Sequence, residues 1–190
     1  VTGAGYEPHG EIRLNGRAVS LADRPVLKEC LRAGLLCNDA QLARQDGRLA
    51  VQGDPTEGAL VVAAQKAGLD ESELSAAHPR LDVIPFESEH QYMATLHGQP
   101  EGARVVYMKG AVERLLERCA TALGENGTAA PVDKERVHRE TEALFHILRD
   151  LREAGTPVGR ATVFRALDLM TRLDILSRVG DGSDRSAYTL

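Results

Sequence analysis

Three short apolar segments fill the middle third of the chain and constrain its fold more than any other feature. They span Leu81–Phe86, Tyr92–His97 and Arg104–Met108, separated by polar or Gly/Pro turns. This pattern is typical of successive β-strands. Upstream, Asn15-Gly16 favours a tight hairpin between two shorter strands. We therefore expect a chain that contains a sheet.

Helical spacing surrounds these strands. After Pro25, four side chains fall on one helical face: Leu27, Cys30, Leu31 and Leu35. A second helix is predicted after Asp54, which can cap it, with Pro55 in its first turn and Gly68 as its terminator. In Ala111–Cys119 the apolar side chains are again spaced as on one face of a helix. The sequence thus predicts a mixture of strands and helices.

The last third is predicted to be helical and to end in a hairpin. An apolar stripe with steps of 4, 3, 4 and 3 predicts one unbroken helix from about Asp133 to Glu153. A further helix is predicted from about Gly159 to Leu173. Ile175–Val179 and Ser186–Leu190 then form a hairpin around a Gly-Asp-Gly turn. This order is that of a winged helix-turn-helix.

Composition excludes several classes. The 190 residues carry a net charge of -5 and are 43% hydrophobic, which suits one domain or two small ones. The longest apolar run, Ala59–Ala64, is far below the roughly 18–20 residues of a membrane span. No secretory signal is seen, and the three Cys and six His show no metal-ligand or disulfide spacing. We expect a cytoplasmic chain with no membrane contact and no structural metal.

Charge is uneven along the chain. Residues 1–143 have a net charge of -6, whereas residues 144–190 have +1. Such a shift in net charge suggests two segments that differ in origin or function.

Three residues from separate segments could together hold a nucleotide. The Phe86 ring could stack on adenine, the Glu57 carboxylate could accept from its amino group, and the Lys109 ammonium could face phosphate or the ring edge. Each has a plainer interpretation. Glu57 could complete a capping box with Asp54, Phe86 could be a core aromatic, and Lys109 a solvated strand end.

Four motifs resemble the nucleotide-binding domain of P-type cation-transporting ATPases. Gly53–Leu60 is similar to the G-[DE]-P-T-E-x-A-L signature, and Leu36–Ala40 resembles the L-C-N-[DN]-A box upstream of it. Ile84–Thr95 resembles the P-F-x-S-x(4)-M segment, and Met108–Glu113 the K-G-A-x-E motif. The motifs occur in the family's order over about residues 1–143.

The resemblance implies an α+β domain, an antiparallel sheet flanked by helices, that binds ATP as MgATP. It implies that Phe86 stacks on adenine, that Glu57 bonds its amino edge, and that Lys109 lies at the mouth of the pocket. Gly110 and Ala111 would let the backbone approach the base. Two residues before Met93, where many members carry a base, this chain has Gln91.

The phosphorylated-aspartate motif of the family, D-K-T-G-T, does not occur in this sequence. The chain is therefore expected to bind ATP without turning it over alone, and to present MgATP to the phosphorylation domain of a parent pump. That domain and the actuator domain are its expected partners.

Residues 144–190 resemble a second family, the ferric-uptake-regulator repressors. Ala161–Leu167 is similar to its recognition-helix pattern A-T-[VI]-[YF]-R-x-L, and Ile175–Leu190 to its wing. In a complete repressor, four residues would lie on or near the helix that enters the major groove: Arg160, Thr162, Phe164 and Arg165.

The two resemblances meet near Ala143. Together they predict an ATP-binding domain, residues 1–143, followed by a partial winged-helix segment, residues 144–190. The alternative to the pump domain is a metal-dependent transcriptional regulator that binds DNA through the winged helix. The simpler interpretation of the second segment is that Val163, Phe164 and Leu167 pack a small core and the arginines are solvated.

Overall fold

The computed structural model describes residues 1–3, 5–14, 16–45, 47–124, 126–153, 177–180 and 186–189, with the backbone alone for 143–152 and for the last two stretches. The chain divides into two compact units. The first consists of Val1–Ile12 with Ala18–Val132, and the second of Arg13–Arg17 with Asp133–Leu190.

The described residues form five α-helices and eleven strands. The helices are α1 (Pro25–Leu36), α2 (Pro55–Lys66), α3 (Glu71–Ala77), α4 (Val112–Leu116) and α5 (Lys134–Glu153). The strands are β1 (Arg13–Leu14), β2 (Arg17–Ala18), β3 (Gln41–Gln45), β4 (Arg48–Gln52), β5 (Arg80–Glu87), β6 (Tyr92–Gly98), β7 (Arg104–Gly110), β8 (Thr121–Leu123), β9 (Ala129–Pro131), β10 (Ser177–Gly180) and β11 (Ser186–Thr189).

The largest sheet of the first unit is the antiparallel meander β5-β6-β7. Its β6–β7 register runs from Tyr92 opposite Gly110 at one end to Gly98 opposite Arg104 at the other. The three predicted strands are therefore confirmed, and the unit is α+β. β5 lies at the edge of this sheet, and all eight of its residues are exposed.

Two consecutive leucines at the end of α1 hold the first unit together. Leu36 packs with Met93 of β6 and Tyr107 of β7, whereas Leu35 packs with Val61 and Ala64 of α2. Neighbouring helical positions lie about 100° apart, so one helix end can bury side chains against both partners. The end of α1 is thereby held against both the sheet and α2.

The residue that follows these leucines is also part of the core. Cys37 is fully buried, and its thiol lies 3.6 Å from the carbonyl oxygen of Met93. Burial raises the pKa of this thiol, although a hydrogen bond with Thr95 and the charges of Lys109 and Arg80 oppose the shift. Cys37 therefore serves in packing as a neutral thiol.

The start of α2 follows directly from its sequence. The Asp54 carboxylate accepts hydrogen bonds from the backbone N–H of Thr56 at 2.7 Å and of Glu57 at 3.2 Å, and Pro55 occupies the first turn. These bonds, first from Glu57 and then from Thr56, lower the pKa of Asp54. Gly68, at φ +84°, follows the helix in the left-handed conformation expected of a terminator.

Several helices and strands of the structure were not predicted from the sequence patterns. α3, β3 and the pair β8–β9 were not predicted, and α4 ends at Leu116 rather than near Cys119. β3 was missed because Gln41–Gln45 contains only one large apolar residue, and its partner β4 supplies the pairing. The hairpin around Asn15-Gly16 is confirmed by the paired strands β1 and β2.

In the second unit, α5 is one continuous helix from Lys134 to Glu153, as predicted. The Asp133 carboxylate accepts from the backbone N–H of Arg136, and ion pairs one turn apart follow, such as Arg136–Glu140. Strands β10 and β11 pair antiparallel, which confirms the strands of the terminal hairpin. The predicted helix 159–173 lies outside the described residues.

We expect Asp54→Ala to lower the free energy of unfolding by about 1 kcal/mol at pH 7, because the N-cap acceptor is lost. Asp54→Asn keeps an acceptor that does not titrate. Because the folded-state pKa of Asp54 is lowered, the carboxylate stabilises fully above its ordinary pKa of about 3.9 and loses this contribution as the pH falls through the folded value.

Urea denaturation of the three chains between pH 7 and pH 3 measures this effect. The wild type should lose stability relative to Asp54→Asn only at the acid end. Equal stability of wild type and Asp54→Ala at pH 7 would show that the cap contributes nothing.

Candidate functional site

The Glu57 side chain leaves its own helix and joins two other segments. Its Oε1 atom lies 2.6 Å from Nζ of Lys109, and its Oε2 atom accepts from the backbone N–H of Asp39 at 3.2 Å. A capping box would instead turn this carboxylate back to the N–H of Asp54. The Asp54 half of that box is present, but Glu57 is directed toward Lys109 and Asp39.

Asn38 fixes the base of this arrangement. Its amide nitrogen donates to the carbonyl oxygens of Gly34 and Glu57, each at 3.0 Å, and its Oδ1 atom accepts from the N–H of Ala40 at 2.8 Å. One side chain thus joins the end of α1, the start of α2 and the segment that leads into β3. Glu57 is therefore held by its backbone as well as by its carboxylate.

Gly53 brings the start of α2 close to the same segment. Its φ is +113°, and a Cβ atom at this position would lie 3.1 Å from Cα of Ala40. Both the backbone conformation and the close approach favour glycine.

Lys109 supplies the cation of the site. It lies near the end of β7, opposite Met93 of β6. Its side chain is 24% exposed and that of Glu57 is 19% exposed, so the pair is shielded from water on most sides. The ammonium nitrogen is buried and makes no well-aligned hydrogen bond within the described part of the chain, so the contact is an ion pair.

Gly110 and Ala111 tie the end of β7 to the turn before β6. A Cβ atom at Gly110 would lie 2.4 Å from the carbonyl oxygen of Gln91 and 2.6 Å from Cα of Tyr92. The N–H of Ala111 donates to the same Gln91 oxygen at 2.8 Å. Packing between the strands therefore already requires glycine at position 110.

Phe86 is an exposed aromatic residue of β5. Its side chain is 60% exposed, so the core-aromatic interpretation is wrong. It lies in an irregular stretch between the pairs Ile84–Ala94 and Glu87–Tyr92, level with Met93 and hence with Lys109 two strands away. Two strand spacings place the backbones of Phe86 and Lys109 about 10 Å apart.

The structure thus joins Glu57 and Lys109 directly and places Phe86, Gly110 and Ala111 at the same end of the sheet. Sequence reasoning missed Asn38 and Asp39 as anchors of Glu57, although both lie in a motif it had identified. It also missed Arg80, whose Nη1 atom lies 2.8 Å from Oδ1 of Asp39. A turn asparagine after a helix was the available signal.

The four candidate DNA-binding residues, Arg160, Thr162, Phe164 and Arg165, lie outside the described residues. Their role stays a prediction.

The first unit is an α+β domain that carries a shielded ion pair at one end of its antiparallel sheet. The profile of the family described as P-type ATPase, cytoplasmic domain N, matches residues 26–145, and the chain belongs to that family. In the part of the chain that the structure describes, no helix has the length and apolarity needed to cross a membrane.

Curated relatives are named as cation pumps. The chain is 47% identical over 149 residues to Cation-transporting ATPase pma1 of Synechocystis, covering 76% of this chain and 16% of that protein. It is 42% identical over 168 residues to Probable cation-transporting ATPase F of Mycobacterium tuberculosis (81% and 18%). It is 34% identical over 148 residues to Calcium-transporting ATPase of Bacillus subtilis (78% and 16%). The chain therefore spans less than a fifth of the length of these relatives.

A double-mutant cycle should show strong coupling between Glu57 and Lys109. Glu57→Gln and Lys109→Met should each lower the free energy of unfolding by about 1–3 kcal/mol, because each leaves a shielded charge without its partner. The double variant should lose at least about 1 kcal/mol less than the sum of the two.

The pair Asp39–Arg80 is the matched control, since its side chains are 56% and 32% exposed. Its coupling, from urea denaturation of Asp39→Asn, Arg80→Met and the double variant, should fall in the range of about 0.2–1 kcal/mol. A Glu57–Lys109 coupling no larger than that of the control would contradict the shielding.

Proposed function

We propose that residues 1–143 bind ATP, taken as MgATP, and serve as the nucleotide-binding domain of a cation-transporting P-type ATPase. The observation that carries this proposal is the shielded Glu57–Lys109 pair beside an exposed phenylalanine. The family match and the names of the relatives support it.

The side chains offer what an adenine base requires. The exposed Phe86 ring gains by stacking, which is worth about 1–3 kcal/mol per base in proteins that bind single strands. The Glu57 carboxylate has about four acceptor sites. The N–H of Asp39 and the Lys109 ammonium occupy part of that capacity, and an exocyclic amino group can take a further site.

Lys109 contributes in a second way. Its ammonium has three donors and is held in place by Glu57. Because this nitrogen is buried, a nucleotide would have to displace its present neighbours before it could accept from an N–H. The Glu57–Lys109 contact is already present without a nucleotide.

The proposal extends to the chemistry of the parent pump. Mg²⁺ arrives bound to the phosphate oxygens that it prefers. The chain holds the nucleotide, whereas a phosphorylation domain would accept the phosphoryl group and an actuator domain would act on it afterwards. All of these domains lie on the cytoplasmic side in this proposal.

A second candidate function belongs to residues 144–190. Strands β10 and β11 pair antiparallel, as the strands of a wing would, and the sequence of Ala161–Leu167 resembles the recognition-helix pattern. A gel shift that weakens with salt and disappears with Arg165→Ala would support DNA binding by this segment. A shift that Arg165→Ala leaves unchanged would argue against it.

We expect Phe86→Ala to weaken ATP binding by tenfold or more, about 1.4 kcal/mol, because the stacking surface is removed. Titration with ATP, followed by isothermal calorimetry or by NMR shifts of Lys109, measures the change.

Leu81→Ala is the matched control, because Leu81 is an exposed residue of the same strand near its opposite end. It should leave the ATP affinity unchanged. Failure of the unmodified chain to show saturable ATP binding would overturn the proposal.

A further inference from the structure

Two arginines of α4 and the loop after it share one carboxylate. Arg114 Nη1 lies 3.3 Å from Oε1 of Glu117, and Arg118 Nη1 lies 3.4 Å from Oε2 of the same residue. Lys109 and Arg80, in contrast, each lie within 2.8 Å of a carboxylate of their own. Arg114, Arg118 and Glu117 together therefore carry a net charge of one positive unit.

Of the two guanidinium groups, that of Arg114 is the more available. Arg118 lies 4.7 Å from the ring centroid of Tyr92 and donates to the carbonyl oxygen of Arg114 at 2.8 Å. The bonds of Arg114 to Gln91 and Glu117 are both 3.3 Å long, beyond the usual 2.7–3.2 Å range. Its side chain is 41% exposed, so it can turn to a new acceptor at small cost.

Arg114 lies close to the candidate site. Its Nε atom donates to Oε1 of Gln91, and the carbonyl oxygen of Gln91 accepts from the N–H of Ala111. Ala111 and Arg114 are three positions apart, a rise of about 4.5 Å along a helix. Gln91 itself has φ +59°, a backbone conformation that persists only where the surroundings hold it.

The same turn is acidic. It carries Glu87, whose carboxylate lies 3.4 Å from the His90 ring, and Glu89. Without a cation, this turn would repel a polyphosphate. The neighbouring Glu113 is adjacent to Arg114 on the helix, and adjacent positions do not face each other.

We propose that Arg114 binds the phosphate groups of a nucleoside polyphosphate, with Gln91 holding the guanidinium in place before the ligand enters. This inference rests on the proposed nucleotide-binding function. Adenine would be held by Glu57, Phe86 and Lys109, and the charged tail would extend across Gly110 and Ala111 toward α4. Arg114 thereby distinguishes a nucleoside polyphosphate from a nucleoside.

The test is the ratio of the affinities for ATP and adenosine, measured by calorimetry on the full chain at 50 mM and 300 mM NaCl. Arg114→Gln should weaken ATP binding about three- to tenfold, as expected for one charge-assisted bond at a partly exposed site. It should leave adenosine binding within a factor of two and reduce the salt dependence of ATP binding. Arg114→Lys should restore part of the loss, because it keeps the charge.

Arg104→Gln is the matched control. Arg104 lies at the opposite end of β7, six residues from Gly110 or about 20 Å along the strand. It should alter neither affinity.

An equal loss of ATP and adenosine binding in Arg114→Gln would show a structural effect and overturn the inference. An unchanged ATP affinity would overturn it too. If the unmodified chain binds adenosine and ATP equally, this inference fails while the adenine site stands. If it binds neither, the proposed function fails and this inference fails with it.

Discussion

The rest of the site depends on the hydrogen bonds of Asn38. This side chain joins the end of α1 to the first turn of α2, and the backbone of the next residue, Asp39, holds the Glu57 carboxylate. The same end of α1 is anchored by Leu35 against α2 and by Leu36 against the sheet. A displacement of α1 would therefore move Glu57 relative to Lys109. The distance between these two side chains thus depends on the packing of the core.

Local chemistry explains which parts of the fold could be predicted. The three strands of the meander and the helix after Asp54 depend on patterns within a few residues, and the structure has them where the sequence placed them. β3 depends on its partner β4, and the Glu57–Lys109 pair joins residues 52 positions apart in the chain. Such contacts are set by tertiary packing, which periodicity does not report.

Gly110 is a motif residue that the packing of the fold requires, whether or not a ligand also requires it. A side chain at this position would collide with the backbone of β6 before any nucleotide is considered. The family resemblance implies that this glycine lets the backbone approach the base closely. The structure adds a packing reason of its own, so loss of binding in a Gly110 variant would not by itself identify a ligand contact. Phe86 is a cleaner probe, because its ring is 60% exposed and its removal leaves the core intact.

The Glu57–Lys109 pair also keeps two shielded charges compensated within the fold. A shielded ammonium without a partner would cost several kcal/mol, and so would a lone carboxylate. Because the two groups are paired, neither charge is left without a partner. The pair is electrically neutral, however, so it contributes little net attraction for an anionic tail. In the proposed complex, that attraction would come from a cation that shares its carboxylate with another, as Arg114 and Arg118 share Glu117. In the proposed complex, recognition of the base and attraction of the phosphates would be separate tasks of different segments at the same end of the sheet.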